Sequence, residues 1–216
     1  MKPTSFVRMH ASVVAGYNQW AATYDTVVNK TRDAEALCLR QMWAHQTCDH
    51  IAEIGCGTGK NTAFLLERCK QLFALDASEE MLQQARQKIT APHVQFIQAN
   101  LLEPWPLHTS AIDAVVFSLV LEHIEDLHFP FAESARVLRP GGLLYVGELH
   151  PQKQYAGSGA RFESEAGMVH LPAYTHHVTD YLAAANHNGF ILQQRLEPVA
   201  PDEFIPRILA LLFTKC

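Results

Sequence analysis

The feature that most constrains the fold is a glycine-rich turn at residues 53–59, which reads EIGCGTG. Residues 49–54 are predicted to form a short strand that ends with Glu53 and Ile54, and residues 61–68 are predicted to form a helix. A strand that enters a glycine turn and leaves it as a helix is one half of a nucleotide-binding βαβ unit. The sequence therefore predicts an α/β protein with a ligand-binding turn after its first strand.

Two other glycine-rich motifs can be compared with the same residues. A P-loop, GxxxxGK[ST], needs glycine at position 54 and serine or threonine at position 61, where this chain has Ile54 and Asn61. A dinucleotide fingerprint, GxGxxG, is satisfied by Gly55 and Gly57 but has Lys60 in place of the third glycine. Without that glycine the helix cannot approach the strand as closely, so pyrophosphate binding is disfavoured.

Length and composition indicate one globular α/β domain. The chain has 216 residues, of which 48% are hydrophobic and 18% are charged, as is usual for such a domain. It contains no apolar run of the roughly 20 residues that a membrane-spanning helix needs. Residues 1–9 lack the apolar core of a secretory signal. We therefore expect a cytoplasmic protein without a membrane segment.

The cysteines and the net charge argue against further classes of protein. The chain has five cysteines, an odd number, and no CxxC pair, which disfavours a disulfide framework and a thiolate zinc site. It has 17 Lys and Arg against 22 Asp and Glu, a net charge of −5, and no basic run. Phosphate binding needs clustered basic side chains, so we expect no nucleic-acid partner.

Strand and helix signals alternate along the chain. Helices are predicted at residues 10–28, 32–46, 61–68, 79–89, 119–127, 130–138 and 179–189. Strands are predicted at residues 49–54, 71–75, 94–98, 111–117, 143–147, 190–196 and 208–214, with an irregular insert at residues 150–172. This order predicts a three-layer α/β sandwich around a seven-stranded, mainly parallel sheet whose last strand is antiparallel.

We expect residues 1–216 to form one domain with three parts. These are lid helices at 1–47, a ligand-binding core at 48–148, and a substrate-side insert with the last two strands at 149–216. In the first helix, Tyr17, Trp20 and Tyr24 share one face because they are spaced i, i+3 and i+7. That aromatic face either packs against the edge of the sheet or covers a ligand.

Polar residues follow successive strands at the edge where open α/β sheets bind ligands. Asp76 ends the second strand, 19 residues after Gly57. This is close to the spacing of about 20 at which a carboxylate accepts hydrogen bonds from ribose hydroxyls. Asn100 follows the third strand and Ser118 ends the fourth. Together these positions predict a cleft for an adenosine-containing ligand.

The adenine of such a ligand has a candidate site beside the third strand. The amide oxygen of Asn100 could accept a hydrogen bond from the adenine amino group, and the backbone N–H of Leu101 could donate to a ring nitrogen. Ala77 and Met81 would form apolar walls. The prediction places these four residues around one ring.

Several segments, in this order, resemble the motifs of class I S-adenosylmethionine-dependent methyltransferases: EIGCGTG, LFALDASEEML, FIQANLLEPWPL, IDAVVFSLVLEHI and ARVLRPGGLLYV. The segment YNQWAATYD resembles the helix that precedes the core in the branch containing the ubiquinone/menaquinone and malonyl-carrier methyltransferases. The likeness covers residues 17–148 in motif detail. It implies a Rossmann-like fold, S-adenosylmethionine as methyl donor and S-adenosylhomocysteine as product.

The resemblance also implies roles for individual residues. The methionyl part of the cofactor would be held by Glu53, Gly55, Cys56, Gly57 and Gly59, and its ribose by Asp76. Asn100 and Leu101 would contact the adenine. Ser118 and Leu119 would lie beside the sulfonium, and Tyr17 and Tyr24 would cover the sulfonium. One departure is Asn100, where the family often has aspartate. Residues 118–121 read SLVL, unlike the Asn-Pro-Pro-aromatic segment of the DNA and protein-amide methylating branches.

The acceptor site is less well defined by sequence, although the chain has 12 histidines. His123 and His150 follow the fourth and fifth strands and are candidate catalytic bases, which are needed only if the acceptor is protonated. Trp20, His150, Tyr174 and His176 are candidate acceptor-binding residues. The alternative is that these histidines are solvated or capping residues. No HxxxH pair is present, so no metal site is expected.

The sequence thus predicts a methyltransferase that acts on a small molecule by in-line transfer of the sulfonium methyl group. Two alternatives stay open: a protein that binds S-adenosylmethionine without catalysis, and an NAD-dependent oxidoreductase. The sequence leaves the acceptor and the oligomeric state undefined.

Overall fold

The structure is a computed structural model that describes residues 11–216. Residue 10 of the first predicted helix lies outside the described residues. The helices are α1 (Ala11–Trp20), α2 (Lys30–Met42), α3 (Thr62–Leu66), α4 (Glu79–Lys88), α5 (His128–Val137), α6 (Pro151–Tyr155) and α7 (Val178–His187). The strands are β1 (Cys48–Ile54), β2 (Cys69–Asp76), β3 (Val94–Gln98), β4 (Ile112–Ser118), β5 (Leu138–Leu149), β6 (Arg161–Ser164), β7 (Gly167–His170), β8 (Phe190–Leu196) and β9 (Ile208–Lys215).

Seven strands form one sheet in the order β3-β2-β1-β4-β5-β9-β8. The pairs β2–β3, β1–β2, β1–β4 and β4–β5 are parallel, whereas β9 runs antiparallel to both β5 and β8. The predicted mainly parallel sheet with an antiparallel last strand is confirmed. The strand order reverses between β1 and β4, so the ligand crevice lies beyond the carboxyl ends of these strands.

The sheet is covered on both faces because its central strands are apolar on both sides. In β4, Phe117 belongs to a buried cluster with Phe131 of α5, whereas its neighbour Val116 belongs to a second cluster with Leu39 of α2. Successive side chains of a strand point to opposite faces, which explains the two clusters. The predicted three-layer architecture is confirmed.

The helix predicted at residues 119–127 is wrong. Leu119 has a positive φ of 54°, in the left-handed region, and such a residue does not continue a right-handed helix. A single 3₁₀ turn, Leu121–His123, follows. The helix predicted at residues 10–28 also ends early, since α1 stops at Trp20 and a 3₁₀ turn spans Ala21–Thr23.

The insert predicted as irregular at residues 150–172 is largely ordered. It contains α6 and an antiparallel hairpin of β6 and β7. Phe162 of β6 stacks on Trp20 of α1, with 5.2 Å between ring centroids. The aromatic face of α1 therefore packs on this hairpin rather than on the edge of the sheet. The predicted fifth strand was too short, because β5 begins at Leu138 and continues through residues 139–142.

Candidate active site

The glycine turn after β1 lines a cavity at the carboxyl ends of β1, β2 and β4, here called the first cavity. Gly55 and Gly57 have φ values of 76° and 53°, which L side chains rarely adopt. A Cβ added at Gly55 would lie 2.6 Å from a Val120 methyl carbon, whereas one at Gly57 would meet nothing within 4 Å. Gly57 thus presents bare backbone to open space. Gly59 is not among the lining residues and packs toward Ile89 of the segment after α4.

Asp76 lies in this cavity as predicted, and backbone groups fix its carboxylate. Its Oδ2 accepts a hydrogen bond from the N–H of Gly57 at 2.8 Å, and its Oδ1 accepts one from the N–H of Ser78 at 2.8 Å. Burial raises the pKa of Asp76, while these N–H donors act in the opposite direction. Each carboxylate oxygen keeps a further lone pair for a ligand hydroxyl.

Glu53 also lines the first cavity and is 2% exposed. Its Oε2 accepts a hydrogen bond from the Thr62 hydroxyl at 2.5 Å. Burial raises the pKa of Glu53 to about 8, because a buried carboxyl group loses the hydration that stabilises its charged form. Cys56 lines the cavity beside it, and burial raises the pKa of this thiol as well.

The structure adds a polar group that the sequence did not predict. Glu35 of α2 lines the first cavity, and its carboxyl group accepts hydrogen bonds from Asn61 Nδ2 at 2.7 Å, Ser118 Oγ at 2.8 Å and the Tyr145 hydroxyl at 3.0 Å. Burial raises its pKa to about 7. Glu35 thereby ties α2 to the ends of β4 and β5, a long-range contact with no local sequence signal.

Arg32 of α2 is a second unpredicted lining residue, and it is 9% exposed. It donates hydrogen bonds to the carbonyl oxygens of Tyr24 at 2.7 Å and Val27 at 2.9 Å. Its buried Nε has no hydrogen-bond partner among the described residues, and neither does the buried Oδ1 of Asn61 in the same cavity. Because buried polar atoms are normally paired, these two atoms indicate a polar ligand.

The segment that the sequence predicted as a lid, α1 and the turn after it, contributes side chains to this cavity. Tyr17 and Tyr24 both line the first cavity. The Tyr17 hydroxyl lies 2.8 Å from Nε2 of His123, and Nδ1 of His123 lies 2.7 Å from the carbonyl oxygen of Pro172. In neutral histidine, Nδ1 therefore donates to Pro172, and Nε2 accepts from Tyr17. This chain of hydrogen bonds connects the lid to the loop after β4 and to the segment after β7.

The remaining predicted cofactor residues divide into two groups. The residues that line the first cavity are Ala77, Met81, Leu101, Ser118 and Leu119. Asn100 does not line it, because its Oδ1 accepts from the N–H of Leu102 at 3.1 Å and its Nδ2 donates to Glu103 at 3.0 Å. The structure thus places Asn100 in a turn and leaves Leu101 beside the cavity.

A second cavity adjoins the first, and the two share Tyr17, Tyr24, Arg32 and Leu119. Of the predicted acceptor-binding residues, Trp20 lines the second cavity, whereas His150, Tyr174 and His176 line neither. Nδ1 of His150 caps α6 by accepting from the N–H of Gln152 at 3.2 Å, and burial lowers its pKa. Nε2 of His176 lies 2.8 Å from the carbonyl oxygen of Ile124.

Residues 11–216 contain no cluster of three or more histidine, cysteine or acidic residues that could hold a metal ion. Among the helices in the same range, none is long and apolar enough to cross a membrane.

The fold and the first cavity together define a Rossmann-like, nucleotide-binding α/β protein. Residues 52–146 match the family model described as "Methyltransferase domain". Residues 52–146 therefore form a methyltransferase domain, as the motifs predicted, and similar solved structures are complexes with S-adenosylmethionine or S-adenosylhomocysteine.

Three similar proteins illustrate this relationship. A trans-aconitate 2-methyltransferase of Acidovorax ebreus (strain TPSY) is 39% identical over 119 residues, which are 54% of this chain and 44% of the relative. A malonyl-[acyl-carrier protein] O-methyltransferase of Serratia marcescens is 33% identical over 138 residues, covering 64% and 52%. The solved DhpI–SAM–HEP complex superposes with a TM-score of 0.76 at 22% identity, covering 99% and 100%. The chain spans about half the length of these two curated relatives.

The first cavity has the chemistry to bind S-adenosylmethionine. Its empty volume, including space open to solvent, is about 820 Å³. Arg32 matches the carboxylate of the methionine part, and Asn61 and Glu53 offer oxygen acceptors for its ammonium group. Asp76 offers acceptors for ribose hydroxyls, and Met81 offers an apolar surface for adenine. The residues present fit this cofactor.

Proposed function

We propose that the protein is an active methyltransferase that transfers the methyl group of S-adenosylmethionine to a small molecule bound in the second cavity. The observation that carries this proposal is the junction of the two cavities at Tyr17, Tyr24, Arg32 and Leu119. A methyl donor in the first cavity and an acceptor in the second would meet there. The name of the trans-aconitate methyltransferase relative supports a small acceptor.

In this proposal each group of residues has a defined task. The backbone of Gly55 and Gly57 lets the methionine part approach closely, and Arg32 neutralises its carboxylate. Asp76 accepts hydrogen bonds from the ribose hydroxyls, and Leu101 lies against the adenine. When bound, the cofactor supplies an activated methyl group on a positively charged sulfur.

The residues at the junction would contribute to catalysis mainly by positioning the two reactants and by excluding water. Leu119 is held in a left-handed conformation while its N–H donates to the Gly147 carbonyl oxygen at 2.8 Å. A strained residue at such a site persists only when its surroundings fix it. Tyr17, held by His123, closes the other side. Holding two reactants in line can supply several kcal/mol of a reaction barrier, up to about 7–11 kcal/mol in ideal cases.

We also propose that the chain forms a single domain that works in the cytoplasm and has no nucleic-acid partner. In this proposal residues 1–47 cover the cofactor, residues 48–148 bind it, and residues 149–216 build the acceptor side together with Trp20. The five cysteines, all free thiols, suit a reducing compartment.

The test is turnover with a mixture of metabolites. The purified protein is incubated with S-adenosylmethionine and a small-molecule cell extract, and S-adenosylhomocysteine is quantified by mass spectrometry. We expect its formation to require both the extract and the protein. Asp76→Asn serves as the binding-deficient comparison. Tight binding of S-adenosylhomocysteine without turnover on any extract would contradict the proposal and leave a non-catalytic binding protein.

A further inference from the structure

The second cavity combines an aromatic wall with positively charged side chains. The aromatic wall contains Trp20, Tyr24 and Phe162, and the rings of Trp20 and Phe162 are stacked at an interplanar angle of 17°. Val27 and Met168 extend this wall and are 60% and 56% exposed. The cavity has an empty volume of about 1700 Å³, including space open to solvent. This wall fits the unsaturated or aliphatic carbon chain of a ligand.

Four cationic side chains line the same cavity: Lys30, Arg32, Arg161 and Arg207. Lys30 pairs with Asp202 at 2.7 Å, and Arg207 pairs with Glu203. Arg161 is different, because no hydrogen bond or ion pair engages its side chain within the described residues. It is exposed on the hairpin strand β6 and lines only the second cavity.

Two acidic side chains, Glu122 and Glu163, also line the cavity, and Asp202 and Glu203 already neutralise Lys30 and Arg207. Apart from Arg32, which binds the cofactor in the proposed function, Arg161 is the described lining cation that is left for an acceptor. Glu122 is 6% exposed and its Oε2 accepts a hydrogen bond from Gln154 Nε2 at 3.2 Å. Burial raises the pKa of Glu122, whereas the nearby His123 and the hydrogen bond from Gln154 act in the opposite direction. An arginine without a partner among the described residues, beside an apolar wall, favours a ligand with a carboxylate or another anionic group.

Among the described lining residues, the carboxyl groups of Glu122 and Glu163 are the available proton acceptors. No histidine is among its described lining residues. His123 lies beside the junction, but its Nε2 already accepts from the Tyr17 hydroxyl, and its Nδ1 is held by Pro172. A hydroxyl or ammonium acceptor needs a base to remove its proton. A carboxylate is already ionised at neutral pH and needs none.

We propose that the acceptor is an organic acid with at least two carboxylates and an apolar or unsaturated carbon chain. One carboxylate binds Arg161, and a second reaches the junction at Tyr17 and Leu119, where it is methylated. Two carboxylates are needed because Arg161 does not line the first cavity, which holds the methyl donor. This inference rests on the proposed function and names the substrate class of the same site.

The transfer needs no proton acceptor. A carboxylate oxygen forms a C–O bond to the methyl carbon, and the C–S bond breaks with its electron pair remaining on sulfur. The sulfonium becomes a neutral thioether and the carboxylate becomes a neutral methyl ester, so charge and atoms balance. Arg161 acts as an acceptor-binding residue and moves no proton.

The first experiment measures the chemical class of the product. Methyl esters release methanol in alkali, whereas methyl ethers and methylamines do not. The protein is given methyl-tritiated S-adenosylmethionine with trans-aconitate, glutaconate, crotonate, catechol or phenethylamine, or with the cell extract. We expect volatile, alkali-released tritium with the acids that have two or more carboxylates, and kcat/KM at least tenfold above that for crotonate.

The outcomes separate the two proposals. Turnover that yields only alkali-stable methyl groups, or equal turnover of crotonate, would overturn the carboxylate assignment while the methyltransferase activity stands. Absence of S-adenosylhomocysteine formation with every compound and with the extract would overturn both.

The second experiment tests Arg161 directly, using the best acid from the first. We expect Arg161→Gln to raise KM for that acid at least tenfold, Arg161→Lys to retain part of the affinity, and Arg195→Gln to be neutral. Arg195 is a matched control because it lies on the edge strand β8, outside both cavities.

Calorimetric titration of the acid into the complex with S-adenosylhomocysteine provides a readout that is independent of turnover. Arg161→Gln should weaken acid binding and leave S-adenosylhomocysteine affinity unchanged. Equal acid affinity in wild type and Arg161→Gln would overturn the assignment of Arg161.

Discussion

Glu35 shows how one buried carboxyl group can organise a ligand cavity. It accepts hydrogen bonds from Asn61, Ser118 and Tyr145, which lie on three different parts of the chain. Burial raises its pKa to about 7, so near neutral pH its charge depends on small changes in its surroundings. Glu35 therefore fixes the end of β4 against α2.

Glu35→Ala should destabilise the protein because it leaves buried hydroxyl and amide donors without partners. Each such donor costs about 1–3 kcal/mol, and partial relaxation leads us to expect a loss on the order of 3 kcal/mol in the free energy of unfolding. Urea denaturation measures this loss. Glu125→Ala is the control, since Glu125 is exposed. A loss no larger than that of the control would contradict this role.

Tyr17 and Tyr155 form a matched pair for testing the lid. Each hydroxyl bonds a histidine Nε2, Tyr17 that of His123 at 2.8 Å and Tyr155 that of His177 at 3.0 Å. Only Tyr17 lies at the cavities. We expect Tyr17→Phe to weaken S-adenosylhomocysteine binding about 2–10-fold, the value of one neutral hydrogen bond. Tyr155→Phe should change the calorimetric Kd less than twofold; equal effects would refute the lid contact.

Several individual residues were predictable from sequence because their position at a strand end follows from the order of strands. Asp76 and Gly57 are such residues, and the structure brings them within hydrogen-bond distance. Glu35 and Arg32 were not predictable, since they come from a helix that precedes the sheet. Its docking is set by contacts with residues far along the chain.

Among the elements, the strands were predicted better than the loops. β3 and β8 have the predicted bounds, because each begins with β-branched or aromatic residues shortly after a turn signal, Pro92 for β3 and Gly189 for β8. The helix predicted after β4 was wrong at Leu119, which has a left-handed conformation and donates its N–H to the Gly147 carbonyl oxygen of β5. The β6–β7 hairpin was missed because its Gly, Ser and charged residues resemble a loop, while Phe162 supplies its packing on Trp20.

Glu148, near the end of β5, has a buried carboxyl group whose ionisation should make the stability of the protein depend on pH. Oε1 of Glu148 accepts hydrogen bonds from the N–H groups of Val120 and Leu121 at 3.0 and 2.9 Å, and its buried Oε2 has no partner in the described structure. Burial raises the pKa of Glu148 from 4.5 to about 8. The native state therefore keeps this proton over a pH range in which the unfolded chain has lost it.

Because the native state retains this proton, the direction in which the free energy of unfolding changes with pH can be predicted. Between pH 4.5 and about 8 the native protein binds more protons than the unfolded chain, so the free energy of unfolding falls as pH rises, by up to roughly 1.4 kcal/mol per pH unit. Glu148→Gln cannot ionise and should show a shallower fall. Urea denaturation at pH 5.5, 6.5 and 7.5 measures the slopes. Glu80→Gln is the exposed control, and a Glu148→Gln slope equal to the wild-type slope would contradict the prediction.

At the scale of the whole molecule, strand order determines where the ligand binds. The order of the strands reverses between the parallel neighbours β1 and β4, and the two cavities lie beside this point. The alternation of strands and helices predicted this topology, whereas the shape of the acceptor cavity depends on how α1 and the β6–β7 hairpin meet. The sequence therefore predicted the methyl donor better than the acceptor.

The most direct test of the central claim is calorimetric titration of S-adenosylhomocysteine into wild type, Asp76→Asn and Glu80→Gln. Asp76 is a carboxyl group that lines the first cavity, whereas Glu80 is exposed on α4. Hydrogen bonds to a charged group contribute about 1.5–3 kcal/mol, so we predict a Kd about 10–150-fold higher for Asp76→Asn and unchanged for Glu80→Gln. Equal affinities in all three proteins, or binding of NAD in place of S-adenosylhomocysteine, would contradict the account.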